Sequence, residues 1–107
     1  MTHKFYHTTL NSNKKSILEN GLIPAIGERS IQLGESIEKV YLFNSLDDLD
    51  SALSSWLGDS FNESDVLATF EVTLDITRPG LNFNLDTFET SSTTIIEKST
   101  ISYLRED

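Results

Sequence analysis

The stretch Val66-Leu-Ala-Thr-Phe-Glu-Val-Thr-Leu-Asp-Ile76 decides the fold, because apolar residues recur at every second position along it. A period of two places alternate side chains on opposite faces of a β-strand, so this pattern predicts a strand with one face on the core. The turn sequence Arg78-Pro79-Gly80 ends it. The predicted core side carries Val66, Ala68, Phe70, Val72, Leu74 and Ile76.

The chain before this strand alternates between predicted strands and helices. Lys4–Thr8 mixes aromatic and polar residues, which favours a strand. A short helix is predicted from Ser12 or Asn13 to Asn20, since Gly21 stands where a left-handed helix cap belongs. Val40–Phe43 is an apolar run that predicts a buried strand.

The clearest helical pattern follows Asn44-Ser45, which suits a helix cap. Asp47 and Asp48 sit in the first turn, where the helix dipole favours negative charge, and Gly58 is expected to end the helix. One helix face carries Leu46, Leu49, Leu53, Trp56 and Leu57, and this face is expected to pack on the core.

Residues 25–39 show no clear period and are expected to form a long loop. After the central strand, Thr93–Glu97 is rich in β-branched residues and predicts another strand, and the tail from Ile101 is expected to pack back on the domain. We therefore predict one α+β domain over residues 1–107. Its architecture is expected to be a small, partly split antiparallel sheet with two short helices.

Charge is distributed unevenly along the chain. The formal net charge is -9, and residues 40–107 hold three lysines or arginines against thirteen acidic residues. A negative field repels a phosphate backbone, so free nucleic acid is not expected as a partner. A protein with a basic surface is the expected macromolecular partner. Simple dispersal in solution is an alternative explanation of the same charge.

Several kinds of site and location are excluded or disfavoured by composition. The chain has no cysteine, which excludes disulfides, thiolate nucleophiles and cysteine-ligated metals. Its two histidines are not at metal-ligand spacing, so no metal site is predicted. No apolar run resembles a secretory signal or approaches the roughly 18 residues of a membrane span, which predicts a soluble, cytoplasmic protein.

The order of motifs resembles the ADP-ribosyltransferase superfamily, particularly its branch of RNA 2'-phosphotransferase-like proteins and related DNA-modifying toxins. A strand ending in Tyr6-His7-Thr8-Thr9 leads into the helix end Ile17-Leu-Glu-Asn-Gly-Leu22, followed by Pro24. Val40-Tyr-Leu-Phe43 is similar to the second motif of that family. The resemblance covers residues 4–57 and implies a reduced ADP-ribosyltransferase-like fold that binds NAD.

The resemblance also implies roles for individual residues. His7 would hydrogen-bond the nicotinamide ribose, Thr9 would be a further NAD-binding residue, and the ring of Tyr41 would stack on the nicotinamide. The third family motif supplies a carboxylate, whose position falls near Thr94. Glu97 is the candidate, and a one-residue bulge would bring it to the required face; Glu71 and Glu89 are weaker substitutes.

Two functions stay open at this point. The first is an enzyme that binds NAD through His7 and Tyr41 and transfers ADP-ribose to a macromolecule, with Glu97 as the catalytic carboxylate. The second is a non-enzymatic acidic protein, for example a viral inhibitor of a defence system, that covers a basic partner surface. His7 and Tyr41 as ordinary core or surface residues are the simpler alternative to both NAD-binding roles.

Overall fold

The computed structural model describes residues 2–24, 39–55, 57–58, 61–62, 64–83 and 89–107. Its helices and strands are β1 (Thr2–Leu10), α1 (Lys14–Asn20), β2 (Val40–Phe43), α2 (Leu46–Leu53), β3 (Leu67–Asp75), β4 (Leu81–Asn82), β5 (Glu89–Ser92) and β6 (Ile101–Glu106). The described strands form one sheet in the order β4-β5-β2-β1-β3-β6, with every neighbouring pair antiparallel. This confirms the predicted α+β class.

Strand β3 confirms the alternation seen in the sequence. Ala68, Phe70, Val72 and Leu74 are buried on the predicted core face, while Glu71 and Asp75 lie on the other. Val66, also predicted for the core face, lies before the strand and is exposed. It pairs with β1 in an unbroken register from Thr2↔Asp75 to Leu10↔Leu67. These two strands form the longest ladder of the sheet, and they fix the position of every side chain of β1.

The sheet has a core on each face. We call the two faces the α1 face and the α2 face, after the helix that packs on each. On the α1 face the buried residues are Phe5, Ile17, Leu22, Val40, Leu42, Ala68, Phe70, Val72, Leu74, Ile96 and Ile101. On the α2 face they are Phe43, Leu49 and Ala52, with Tyr6, Leu46, Leu53 and Leu57 packed against them.

Both predicted helices are present, with one boundary that differs. Helix α1 ends at Gly21, whose φ of 83° is in the region that favours glycine. The side chain of Ser45 caps α2 by accepting a hydrogen bond from the main-chain N–H of Asp48, at 3.1 Å. Helix α2 stops at Leu53 rather than at Gly58, and Trp56 lies outside the described residues.

The strand predicted over residues 93–97 is wrong. The strand on the outer side of β2 is β5, and it ends at Ser92. The Ser92 hydroxyl accepts from the main-chain N–H of Thr94 at 3.3 Å and donates to the Thr94 carbonyl at 2.9 Å. Such local hydrogen bonds turn the backbone away from a ladder. In the described part of residues 93–97, the strand-like pairing is an isolated bridge between Ile96 and Leu22. The predicted loop 25–39 lies outside the described residues except for Lys39.

Candidate functional site

The line between β1 and β2, which we call the seam, is the weakest join in the middle of the sheet. These strands share a single register pair, Tyr6↔Phe43. Their outer neighbours are paired more fully, since β1 pairs with β3 along its whole length and all four residues of β2 pair with β5.

His7 lies in the seam directly after Tyr6. Its Nδ1 donates a hydrogen bond to the main-chain carbonyl of Tyr41, at 2.9 Å. Burial lowers the pKa of the imidazole below its ordinary value of 6.5, and the hydrogen bond to Tyr41 only partly opposes this shift. At neutral pH the ring is therefore uncharged with its proton on Nδ1, and Nε2 carries a lone pair.

The His7 ring, which is half-buried, makes no second hydrogen bond within the described part of the chain. Its Nε2 lone pair is therefore a hydrogen-bond acceptor that no described residue uses.

Thr9 follows His7 on the same face of β1, because side chains two positions apart on a strand point the same way. The Thr9 hydroxyl oxygen accepts a hydrogen bond from the side-chain amide of Asn13 at 3.1 Å. Its own proton is thus left to donate elsewhere. His7 and Thr9 together present one acceptor and one donor.

The ring of Tyr41 is not brought to the ring of His7. Tyr6 and Phe43 are directly paired and share the α2 face. Tyr41 lies two positions from Phe43 and so points to that face, whereas His7 lies one position from Tyr6 and points to the α1 face. The two residues meet through the carbonyl of Tyr41, not through their rings.

Glu97 is also not brought to the seam. Its carboxylate forms two hydrogen bonds with the Arg78 guanidinium, at 2.9 and 3.1 Å. Arg78 also donates to the carbonyl of Ile95 at 3.1 Å. The side chain of Glu97 is 58% exposed, and hydrogen bonding to Arg78 lowers its pKa. Glu97 therefore has a structural role: its bonds to Arg78 hold the segment before β6 against the turn after β3.

Glu89, a weaker candidate for the carboxylate, begins β5 and pairs with Phe43. The sequence reasoning missed a hydroxyl chain on the α2 face. Thr69 is fully buried and donates to the Asp107 carboxylate, so the Thr8 hydroxyl must donate to Thr69, at 2.8 Å. No local pattern signals this chain, because it depends on strand register.

The described residues contain no group of three or more His, Asp or Glu side chains that could hold a metal ion. None of their helices has the length and apolar character needed to cross a membrane. Comparison of the chain with protein-family models, with curated proteins and with solved structures finds no match. The function is therefore argued from the seam residues and from the sequence pattern.

Proposed function

We propose that this chain is an ADP-ribosyltransferase-like protein that binds NAD at the seam and transfers ADP-ribose to a macromolecule. One observation carries the proposal: the bond from His7 Nδ1 to the Tyr41 carbonyl. It holds a neutral imidazole in one tautomer, which leaves Nε2 with a lone pair that can accept a hydrogen bond.

The polarity of the site suits a ribose. Each ribose hydroxyl both donates and accepts hydrogen bonds, and two neighbouring hydroxyls need a matched acceptor and donor. The Nε2 atom of His7 supplies the acceptor, and the Thr9 hydroxyl supplies the donor on the same strand face. Tyr41 contributes its main-chain carbonyl, which fixes the His7 tautomer, rather than a stacking ring.

The transfer step needs a carboxylate close to the ribose. The bond between ribose C1′ and the nicotinamide nitrogen breaks, an acceptor nucleophile bonds to C1′ and loses its proton, and positive charge develops on the ribose in between. Glu97 is held by Arg78 away from the seam. Glu89 is the register partner of Phe43, whose side chain lies on the α2 face, opposite His7, so we assign the carboxylate role to no residue of the described part of the chain.

Binding is tested by thermal unfolding with NAD. A ligand at 100 times its dissociation constant should stabilise the folded state by about 2.7 kcal/mol. The variant His7→Phe should lose this stabilisation, because it removes the acceptor and keeps a planar ring. His3→Phe is the matched control, since His3 lies on the same strand face but donates from Nε2 to the Asn44 carbonyl, at 2.8 Å. Equal NAD stabilisation in both variants would exclude the His7 site.

Transfer is tested separately, by nicotinamide release from NAD. The unaltered chain should release nicotinamide, and His7→Phe should not, because it loses NAD binding. Glu97→Gln should keep release, because its carboxylate bonds only to Arg78 among the described residues. If Glu97→Gln stops release while NAD binding remains, Glu97 is the catalytic carboxylate and its exclusion from the site is overturned. If the chain binds NAD but releases no nicotinamide, it is an NAD-binding protein and the proposed transfer is wrong.

A second candidate function is that of an acidic protein that covers a basic surface. The observation that favours it is that both arginines in the acidic part of the chain form ion pairs within the chain. Arg78 pairs with Glu97, and Arg105 pairs with Asp50 and Asp107. The remaining acidic residues then keep most of their charge for a partner. Its binding should weaken steeply with salt, since the screening length falls from about 10 Å at 0.1 M to about 3 Å at 1 M; salt-independent binding would rule it out.

A further inference from the structure

We infer that Asn20 is a modification site, at which the side-chain amide is lost as ammonia through attack by the chain's own backbone. The end of α1 holds this reaction back in the folded chain, and the product of the reaction no longer fits there. The inference concerns the covalent chemistry of this segment, so it goes beyond the proposed function and does not depend on NAD.

The pair Asn20-Gly21 is where the sequence makes this reaction easiest. The chain has seven asparagines, and only Asn20 is followed by glycine. Glycine has no Cβ, so its main-chain nitrogen is poorly shielded and its backbone reaches more conformations than that of any other residue. Asn20 is exposed, so water and hydroxide can reach its amide.

The reaction is an internal attack followed by hydrolysis. The main-chain nitrogen of Gly21 loses its proton to hydroxide and bonds to the side-chain carbonyl carbon of Asn20, while the amide nitrogen takes up a proton and leaves as ammonia. Water then opens the cyclic imide at either of its two carbonyls. One opening gives aspartate, and the other gives isoaspartate, in which the main chain runs through the former side chain and is longer by a methylene.

The fold restrains the attacking nitrogen on both sides. Asn20 is the last residue of α1, and the N–H of Gly21 donates to the carbonyl of Ile17 at 2.8 Å. The next residue, Leu22, is bonded to Ile96 through both of its main-chain groups, at 3.0 and 2.9 Å. The helical backbone of Asn20 has to change before its side chain can meet the nitrogen of Gly21. Attack therefore requires these bonds to open.

The products do not fit the position that Asn20 leaves. Gly21 lies so close to Ile96 that a Cβ on it would overlap the main-chain oxygen of Ile96, so a main chain lengthened just before Gly21 must disturb this contact. Aspartate adds a negative charge at the C-terminal end of α1, which the helix dipole disfavours. Both products should therefore make the fold less stable.

The site and its restraint are tested by incubating the chain in mildly alkaline buffer and mapping deamidated residues by peptide mass spectrometry. In urea that unfolds the chain, Asn20 should be modified before every other asparagine, and Gly21→Ala should slow its modification. Earlier modification of another asparagine, or an unchanged rate in Gly21→Ala, would overturn the site. Without urea the rate at Asn20 should be at least about tenfold lower, equal to about 1.4 kcal/mol. Equal rates with and without urea would overturn the restraint.

The effect of the product is tested on chain that is modified in urea and then returned to buffer. Its midpoint of urea denaturation should be lower than that of fresh chain, measured at constant slope. Asn20→Gln is the matched control, because glutamine keeps the amide but forms the larger cyclic imide far more slowly, so the same treatment should leave its midpoint unchanged. An unchanged midpoint in the modified chain, or an equal decrease in Asn20→Gln, would overturn the misfit of the product.

Discussion

Replacing Gly21 with alanine should destabilise the fold by about 2–6 kcal/mol. Gly21 has φ 83° and ψ −171°, a backbone region that costs a side-chain-bearing residue about 1–3 kcal/mol. An added Cβ would also overlap the main-chain oxygen of Ile96. To relieve this overlap, the main chains of Leu22 and Ile96 must move apart. That movement weakens the two hydrogen bonds between them, of 3.0 and 2.9 Å, each worth about 0.5–1.5 kcal/mol.

Gly80→Ala is the matched control for this prediction. Gly80 has almost the same φ, 82°, but its added Cβ would meet the side-chain Cγ2 of Thr94 at 2.6 Å. A side chain can rotate away where a main-chain oxygen in a bridge cannot, so Gly80→Ala should cost about 1–2 kcal/mol. Urea denaturation measures both costs from the shift in midpoint at constant slope. If Gly21→Ala costs no more than Gly80→Ala, the reasoning about the Ile96 contact is refuted.

Three further predictions follow from the seam and its surroundings. The unfolding free energy should decrease as pH falls below about 6.5, because His7 binds a proton more readily in the unfolded state than when it is buried in the folded state. His7→Phe should remove this part of the pH dependence, which urea denaturation across pH 5–7 measures. Thr69→Val should cost about 1–3 kcal/mol in the same assay, since Asp107 and Thr8 each lose a partner; a cost near zero would contradict the hydroxyl chain. Tyr41→Leu should leave NAD binding unchanged, because the carbonyl remains; loss of binding by calorimetry would restore a role for the ring.

Local patterns were enough to predict the fold class and most of its elements. The alternation over residues 66–76 predicts a strand and no other element, since eleven residues repeat with period two. Gly21 marks the end of α1 because few other residues adopt its backbone conformation. Such features depend on neighbours in the sequence, so the sequence displays them directly.

Strand β5 could not be found in the same way. Thr90, Ser91 and Ser92 are buried although they are polar, and no apolar alternation marks them. Their place in the sheet comes from pairing with β2, about fifty residues earlier in the chain. The β-branched residues after Ser92 have a higher strand propensity than Thr90–Ser92, so the strand was predicted at residues 93–97 instead. The assignment of Glu97 to the site depended on that misplaced strand.

The sequence predicted which residues approach the seam, but not which atoms meet there, and strand register explains the difference. Tyr41 would turn its ring towards His7 if β2 slid by one residue along β1, because a one-residue shift reverses the face of every side chain. The same shift would carry Leu42, which is fully buried, out of the core of the α1 face. Removing a buried leucine from its core costs about 2–5 kcal/mol, more than a stacking contact of about 0.5–1.5 kcal/mol returns. The register is therefore set by the core, and a ligand at His7 meets the Tyr41 main chain.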